Sequence, residues 1–249
     1  MNNQGKHLLV EFFIVTIVGI GIYCSNILIT SINSIYKYQI ELWNYGGQSL
    51  HLLYPIVFTL PFCWEFFYEK KGFYWKNLFN RTNLNYYIRI RILQAILLSM
   101  LAMLVVSFVS LLFAYCIGLG SFVDYEPIVS NNFFGWWQLE YPVIYTSVLS
   151  CWRALLAGLY TALAMELALV CNNVFVAMTG AFVYSIAENF ITAHLGVPEL
   201  SICTAYYPNR LESSRISFWK LMVGPVVIVG VIVLLHGYYF LKIEKTLMD

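Results

Sequence analysis

Six long apolar runs alternate with short polar stretches along this chain, at approximately 9–30, 49–68, 92–117, 144–170, 173–194 and 217–241. Each holds about 20 residues, the length at which an α-helix crosses the hydrocarbon core of a bilayer. The pattern predicts an all-α membrane protein with six transmembrane helices in a single domain, 1–249. The first run carries Glu11 and has no small-x-small exit site. Tyr23 stands where cleavage before Cys24 needs a small residue, so this run reads as a retained span. The second run contains Pro55 and Pro61, which remove backbone donors and predict a break sheltered by neighbouring helices. Little more than Asn172 and Asn173 separates the fourth and fifth runs, which forces an antiparallel hairpin. Two longer connections, about 118–143 and 195–216, are expected as loops on one side. The first is dense in Phe122, Tyr125, Phe133, Phe134, Trp136, Trp137 and Tyr141, as in a segment lying at the bilayer surface.

Composition excludes other classes. The chain is 60% hydrophobic and 11% charged, with a mean hydropathy of +0.71, well outside the range of soluble domains. A net charge of +1 offers no basic surface for nucleic acid, and membrane lipid is the expected surrounding. The cysteines at 24, 63, 116, 151, 171 and 203 lack metal-ligand spacing. Most read as small buried hydrophobes, with a Cys116–Cys203 disulfide as an alternative for that pair. No phosphate-binding GxxxxGK[ST], HExxH or GxSxG motif is present. Glu188 with Phe190 and His194 resembles the intramembrane metalloproteases of the CAAX-processing type. The paired-glutamate EExxxR helix of those enzymes is missing, which leaves protease a distant third reading.

Basic residues set the expected orientation. With both termini in the cytoplasm, that side holds Lys6, Lys70, Lys71, Lys76, Arg81, Arg89, Arg91, Lys242 and Lys245, while Lys37, Arg153, Arg210, Arg215 and Lys220 fall on the other. Cytoplasmic connections carry such an excess. Glu41, Asp124, Glu126, Glu140, Glu199 and Glu212 are assigned to the outer loops. The sequon Asn80-Arg81-Thr82 then faces inward and is unused.

Small residues at four-residue spacing, Ala154, Gly158 and Ala162 in span four and Ala177, Ala181 and Ser185 in span five, predict close packing of this hairpin. Three charged residues lie within it: Arg153, Glu166 and Glu188. Folding at Asn172 leaves Arg153 and Glu188 three residues apart in depth, about 4.5 Å of helical rise. Unpaired charge in lipid is costly, so an Arg153–Glu188 bridge is expected, with a transport proton relay as the alternative. Glu166 has no basic residue at mirrored depth. It is left to snorkel, to face a partner subunit or to line a polar cavity.

The most charged stretch is Glu65–Arg91, EFFYEKKGFYWKNLFNRTNLNYYIRIR. Tyr74, Trp75, Leu78 and Phe79 fall on one side at helical spacing, with Lys70, Lys71, Lys76, Asn77, Asn80 and Arg81 on the other. That is the pattern of an amphipathic segment along the inner interface. Gly72 marks a turn between it and span two. An acidic residue at the end of span two, then E-K-K-G, Arg-Thr and Tyr-Tyr leading into span three, resembles the bacterial ABC type-2 permease family. The resemblance implies a coupling helix in this loop that inserts into a cleft on a separate ABC ATPase subunit. It carries over to Glu69, Lys71, Gly72, Arg81 and Tyr87, with Glu65, Lys70, Trp75, Lys76 and Leu78 as further coupling candidates. It also implies two permease copies, identical or homologous, in a bacterial cytoplasmic membrane. The chain itself would have no catalytic role and hold no cofactor; ATP and Mg would be bound by the partner. An amphipathic, drug-like or peptide cargo would move outward. The competing reading is an ATPase-independent secondary transporter or membrane scaffold.

Overall fold

The computed structural model describes residues 2–33, 38–72, 84–118, 129 and 131–248, with side chains between 6 and 241. All regular structure among the described residues is helical: α1 Asn2–Asn33, α2 Gln39–Val57, α3 Leu60–Lys71, α4 Leu84–Ile117, α5 Gly135–Glu140, α6 Pro142–Val170, α7 Val174–His194, α8 Ile202–Tyr206 and α9 Phe218–Met248. Among the described residues, six helical stretches are long and apolar enough to cross a membrane: Lys6–Asn33, Gln39–Lys71, Leu84–Ile117, Pro142–Val170, Val174–His194 and Phe218–Leu241. The chain is a multi-pass helical membrane protein. Span four (α6) is the central pillar, with 78% of its most apolar stretch buried inside the protein against 17% for span five. Exposed apolar side chains such as Phe13, Ile17, Phe190 and Leu234 form the outer surface, which suits a lipid surrounding.

Span two is α2 and α3 in series, broken at Phe58–Thr59. Pro61 has no N–H to give the Val57 carbonyl, so the ladder cannot run through. Thr59 repairs part of the loss, its hydroxyl donating to the Pro55 carbonyl at 2.6 Å. Thr161 of span four reaches Phe58 O at 3.4 Å and Ser99 Oγ at 2.8 Å. The span begins ten residues before the apolar run, at Gln39. Glu41, expected in an outer loop, is a buried helical residue that accepts from Gln138 Nε2 at 2.9 Å. The amide donor offsets the cost of burying the carboxylate.

The span four–five hairpin turns at Cys171–Asn173, where Asn173 Oδ1 accepts from Phe175 N at 2.9 Å and caps α7. Ala177, Ala181 and Ser185 form the buried face of α7. Gly158 differs from expectation. A Cβ there would lie 2.7 Å from Met100 of span three, so this glycine admits span three rather than span five. The connection after span five also departs from an exposed loop. The five residues of α8, Ile202–Tyr206, are all buried, so the chain dips back into the bundle before span six. Cys203 is buried there beside Ser185, and all six cysteines are free, which removes the Cys116–Cys203 disulfide. Burial pushes the Cys203 thiol up.

Candidate functional site

The bundle has a charged end, where α3 and α4 begin and end around the Glu65–Arg91 island, and an aromatic end, where α5 and α8 lie. At the charged end, Glu65 and Glu69 stand one turn apart on α3 and face Arg91 of α4. Arg91 Nη2 bonds Glu65 Oε2 and lies 3.4 Å from Glu69 Oε1, and Tyr87 OH donates to Glu69 Oε2 at 3.0 Å. Four-residue spacing on both helices is what lines these groups up. Glu11 of α1 is buried, its Oε2 without a hydrogen-bond partner among the described residues. Lys70 turns the other way, its Nζ donating to the carbonyls of Ala168, Leu169 and Cys171 at the C-terminus of α6. Those carbonyls have no helical partner, and a cation there complements the helix dipole. The foot of span two is therefore clamped to span three on one side and span four on the other. Helix α3 stops at Lys71, with Gly72 N bonding the Tyr68 carbonyl. Lys71 is exposed and lies over the Phe67 ring at 5.2 Å. Trp75, Lys76, Leu78 and Arg81, and the amphipathic segment they define, lie outside the described residues.

Arg153 lies near the middle of α6, fully buried, and it does not meet Glu188. Its Nη1 donates to Tyr23 OH at 2.8 Å and its Nε to the Tyr206 carbonyl at 3.2 Å. Its guanidinium sits over the rings of Trp43 at 4.6 Å and Tyr206 at 5.2 Å. Tyr23 OH passes the chain on to the Trp43 carbonyl at 2.9 Å, and Trp43 Nε1 donates to Ser107 O at 3.0 Å. One arginine thus joins spans one, two, three and four to α8. Gly47 makes the space: a Cβ there would lie 3.0 Å from both Arg153 Nη2 and Tyr23 OH. The expected Arg153–Glu188 bridge is absent, because each side chain is taken by other partners. Glu188 accepts from Ser201 Oγ at 2.9 Å and from Ile202 N at 3.2 Å, where α8 begins.

Glu166 also has a partner that hairpin depth alone could not supply. His236 of span six places Nδ1 2.9 Å from Glu166 Oε1. Among the described residues, no group of three or more His, Cys, Asp or Glu side chains is arranged to hold a metal ion. Fold and side chains together define a six-span helical membrane protein with one acidic clamp and one buried cationic hub. No family model, curated protein or solved structure matches the chain.

Proposed function

We propose that this chain is the transmembrane subunit of an ATP-driven exporter of the ABC type-2 permease kind, moving a peptide, drug-like or other amphipathic molecule out across a bacterial cytoplasmic membrane. The observation that supports it is the clamp at the charged end. Glu65 and Glu69 hold Arg91, and Lys70 holds the end of α6. A segment entered from Gly72 and left through Leu84 is therefore tied at both ends to spans two, three and four. Force delivered to that segment would reach the central pillar instead of dissipating in a loose loop. In this reading a partner ATPase supplies the force, and residues 73–83 dock it, with Trp75, Lys76, Leu78 and Arg81 at the contact. Both termini and the charged end are cytoplasmic. Glu65, Glu69, Lys70, Tyr87 and Arg91 transmit the motion and do not themselves touch the partner.

The test is Leu78→Asp and Gly72→Pro in the complex purified from native membranes. The six spans should still insert, while ATPase activity is lost from the preparation or no longer responds to substrate. Arg81→Glu should weaken docking less at high salt, where charges are screened. Retention of the ATPase and of transport by all three variants overturns the proposal. The Glu166–His236 pair favours the second reading, a secondary transporter, which predicts transport driven by an ion gradient without ATP.

A further inference from the structure

We propose that the seam between spans four and six is a specific site for one acyl chain of a membrane phospholipid, with the lipid phosphate held by Arg215 and Lys220. The inference stands whether or not an ATPase docks at the charged end. At the aromatic end a cavity of about 110 Å³ lies where α5, α6 and the start of α9 meet, walled by Phe133, Phe134, Trp137, Trp152, Phe218 and Leu221 among others. No charged side chain lines it. The polar tips of two wall residues bond outside it: Trp152 Nε1 donates to Ala205 O at 2.8 Å, and Tyr145 OH accepts from Asn209 Nδ2 at 3.4 Å. A polar guest would give up its water there for little but apolar contact. An apolar cavity of about 150 Å³ stays dry and takes a benzene-sized guest. This cavity therefore suits hydrocarbon and is too small for a drug-sized molecule.

It is one end of a longer hollow. A second, of about 360 Å³, is walled by Ile96 and Met100 of span three, Gly158 and Ala162 of span four, and Met222 and Pro225 of span six. A third shares Val148 and Trp152 with the first and Trp152 and Leu155 with the second. Along α6 the walls run from Tyr145 to Ala162, seventeen positions, or about 25 Å of helical rise. The hydrocarbon core of a bilayer measures about 30 Å. A guest that fills this length is narrow, linear and parallel to the spans, and it reaches past the bilayer middle. That is the form of an acyl chain; a compact ring fills the first cavity alone. Packing beside the seam fixes its width. Gly224 seats span six on α8, where a Cβ would lie 2.7 Å from Ile202 N.

The mouth faces the bilayer. Phe134, Trp137, Val148 and Phe218 are between 40% and 60% exposed, whereas Tyr145 and Leu221 at the floor are 6% and 4% exposed. Arg215 and Lys220 flank Phe218 in sequence. Both bind Glu199, at 3.6 and 3.2 Å. Their side chains are 50% and 38% exposed, against 11% for Glu199. Two cations thus face outward over one largely covered acid. That arrangement complements the phosphate of a lipid whose chain lies in the hollow.

Photolabelling tests the site, with the protein in phosphatidylethanolamine nanodiscs that contain a trace of the same lipid carrying a diazirine at the tip of one acyl chain. Wild type should be labelled chiefly at 159–162 and 222–225. Native mass spectrometry after exhaustive detergent exchange should find one phospholipid retained per chain. Leu221→Trp fills the first cavity and should lower both readouts several-fold. Leu155→Trp obstructs the hollow from a side chain that is 49% exposed, so it tests the same site without disturbing the core. Arg215→Gln combined with Lys220→Gln should shorten lipid retention and leave the depth of labelling unchanged. Even labelling of wild type over spans one, five and six, or loss of all lipid on detergent exchange, means bulk lipid only and overturns the proposal. Full retention by Leu155→Trp, or by the Arg215 and Lys220 double variant, overturns it as well.

Discussion

Arg91 and Arg153 are both almost wholly buried, yet they are held by opposite means. Arg91 sits among carboxylates at the charged end. Arg153 has two aromatic rings, a tyrosine hydroxyl and a backbone carbonyl, and no carboxylate. An ion pair strands a charge when one partner goes, whereas removing Arg153 leaves aromatic surface, a void and neutral acceptors but no unbalanced charge. The difference teaches that membrane-depth arginines need not find acids. Arg153 spreads its hold over several helices, while Arg91 fixes one joint.

The largest expected effect follows from that contrast. Arg91→Met should cost about 3–5 kcal/mol because the acids are left unbalanced. Adding Glu65→Gln should recover part of the loss. Arg153→Met should cost less, about 2–3 kcal/mol, the scale of desolvated cation–π contacts and lost hydrogen bonds. Glu188→Gln should not rescue it. Chemical denaturation in detergent reads both, and rescue of Arg153→Met by Glu188→Gln would reveal a charge coupling between the two residues that the structure lacks.

Next comes the space around the hub. Gly47→Ala drives a methyl group to 3.0 Å from the Arg153 guanidinium and Tyr23 OH and should cost about 1–3 kcal/mol by overpacking. Gly21→Ala meets nothing within 4 Å and should stabilise by up to about 1 kcal/mol through helix propensity. Thermal unfolding of the two variants should therefore shift in opposite directions.

On the other side of the comparison, Lys70→Met should cost up to about 2 kcal/mol, the range for a cation at a partly buried helix C-terminus. Hydrogen exchange should quicken in the last turn of α6 and leave the middle of that helix unchanged.

The smallest effect lies at the surface of the aromatic end. Its own backbone N–H, then Lys220 and Arg215, hold the Glu199 carboxyl below its ordinary value of 4.5. The stability it lends is present above that value and is lost as pH falls through the depressed one. Glu199→Gln should flatten the acid side of the unfolding-temperature profile and change little at neutral pH.

The six spans are readable as apolar runs, and Pro55 and Pro61 announce the break at Phe58–Thr59. The apolar run of span two begins ten residues after its helix because Glu41, Asn44 and Gln48 dilute the hydropathy; Gln138, which satisfies Glu41, is remote in sequence. The Asn172–Asn173 turn bears only on the relative depth of Arg153 and Glu188. Their facing directions depend on how each helix is rotated, and that is set by Gly47, Trp43 and the dip of α8, none of which a depth argument includes. The same limit hid Glu166–His236 and the grip of Lys70 on α6, which join residues 70 and 98 or more positions apart. Glu65, Glu69, Lys70 and Tyr87 stand out in the sequence as members of the charged island. Their described contacts are to the bundle itself, which makes them the frame of the island.

Cross-linking from position 76 tests the central claim most directly. Lys76→Cys, in a chain with its other cysteines replaced, is treated in native membranes with a short bifunctional reagent. The account predicts a covalent adduct with a nucleotide-hydrolysing subunit, lost on adding Leu78→Asp, and no labelling of position 76 by an impermeant thiol reagent applied from outside. Labelling from outside, or the absence of any ATPase adduct from a fully inserted chain, would contradict it.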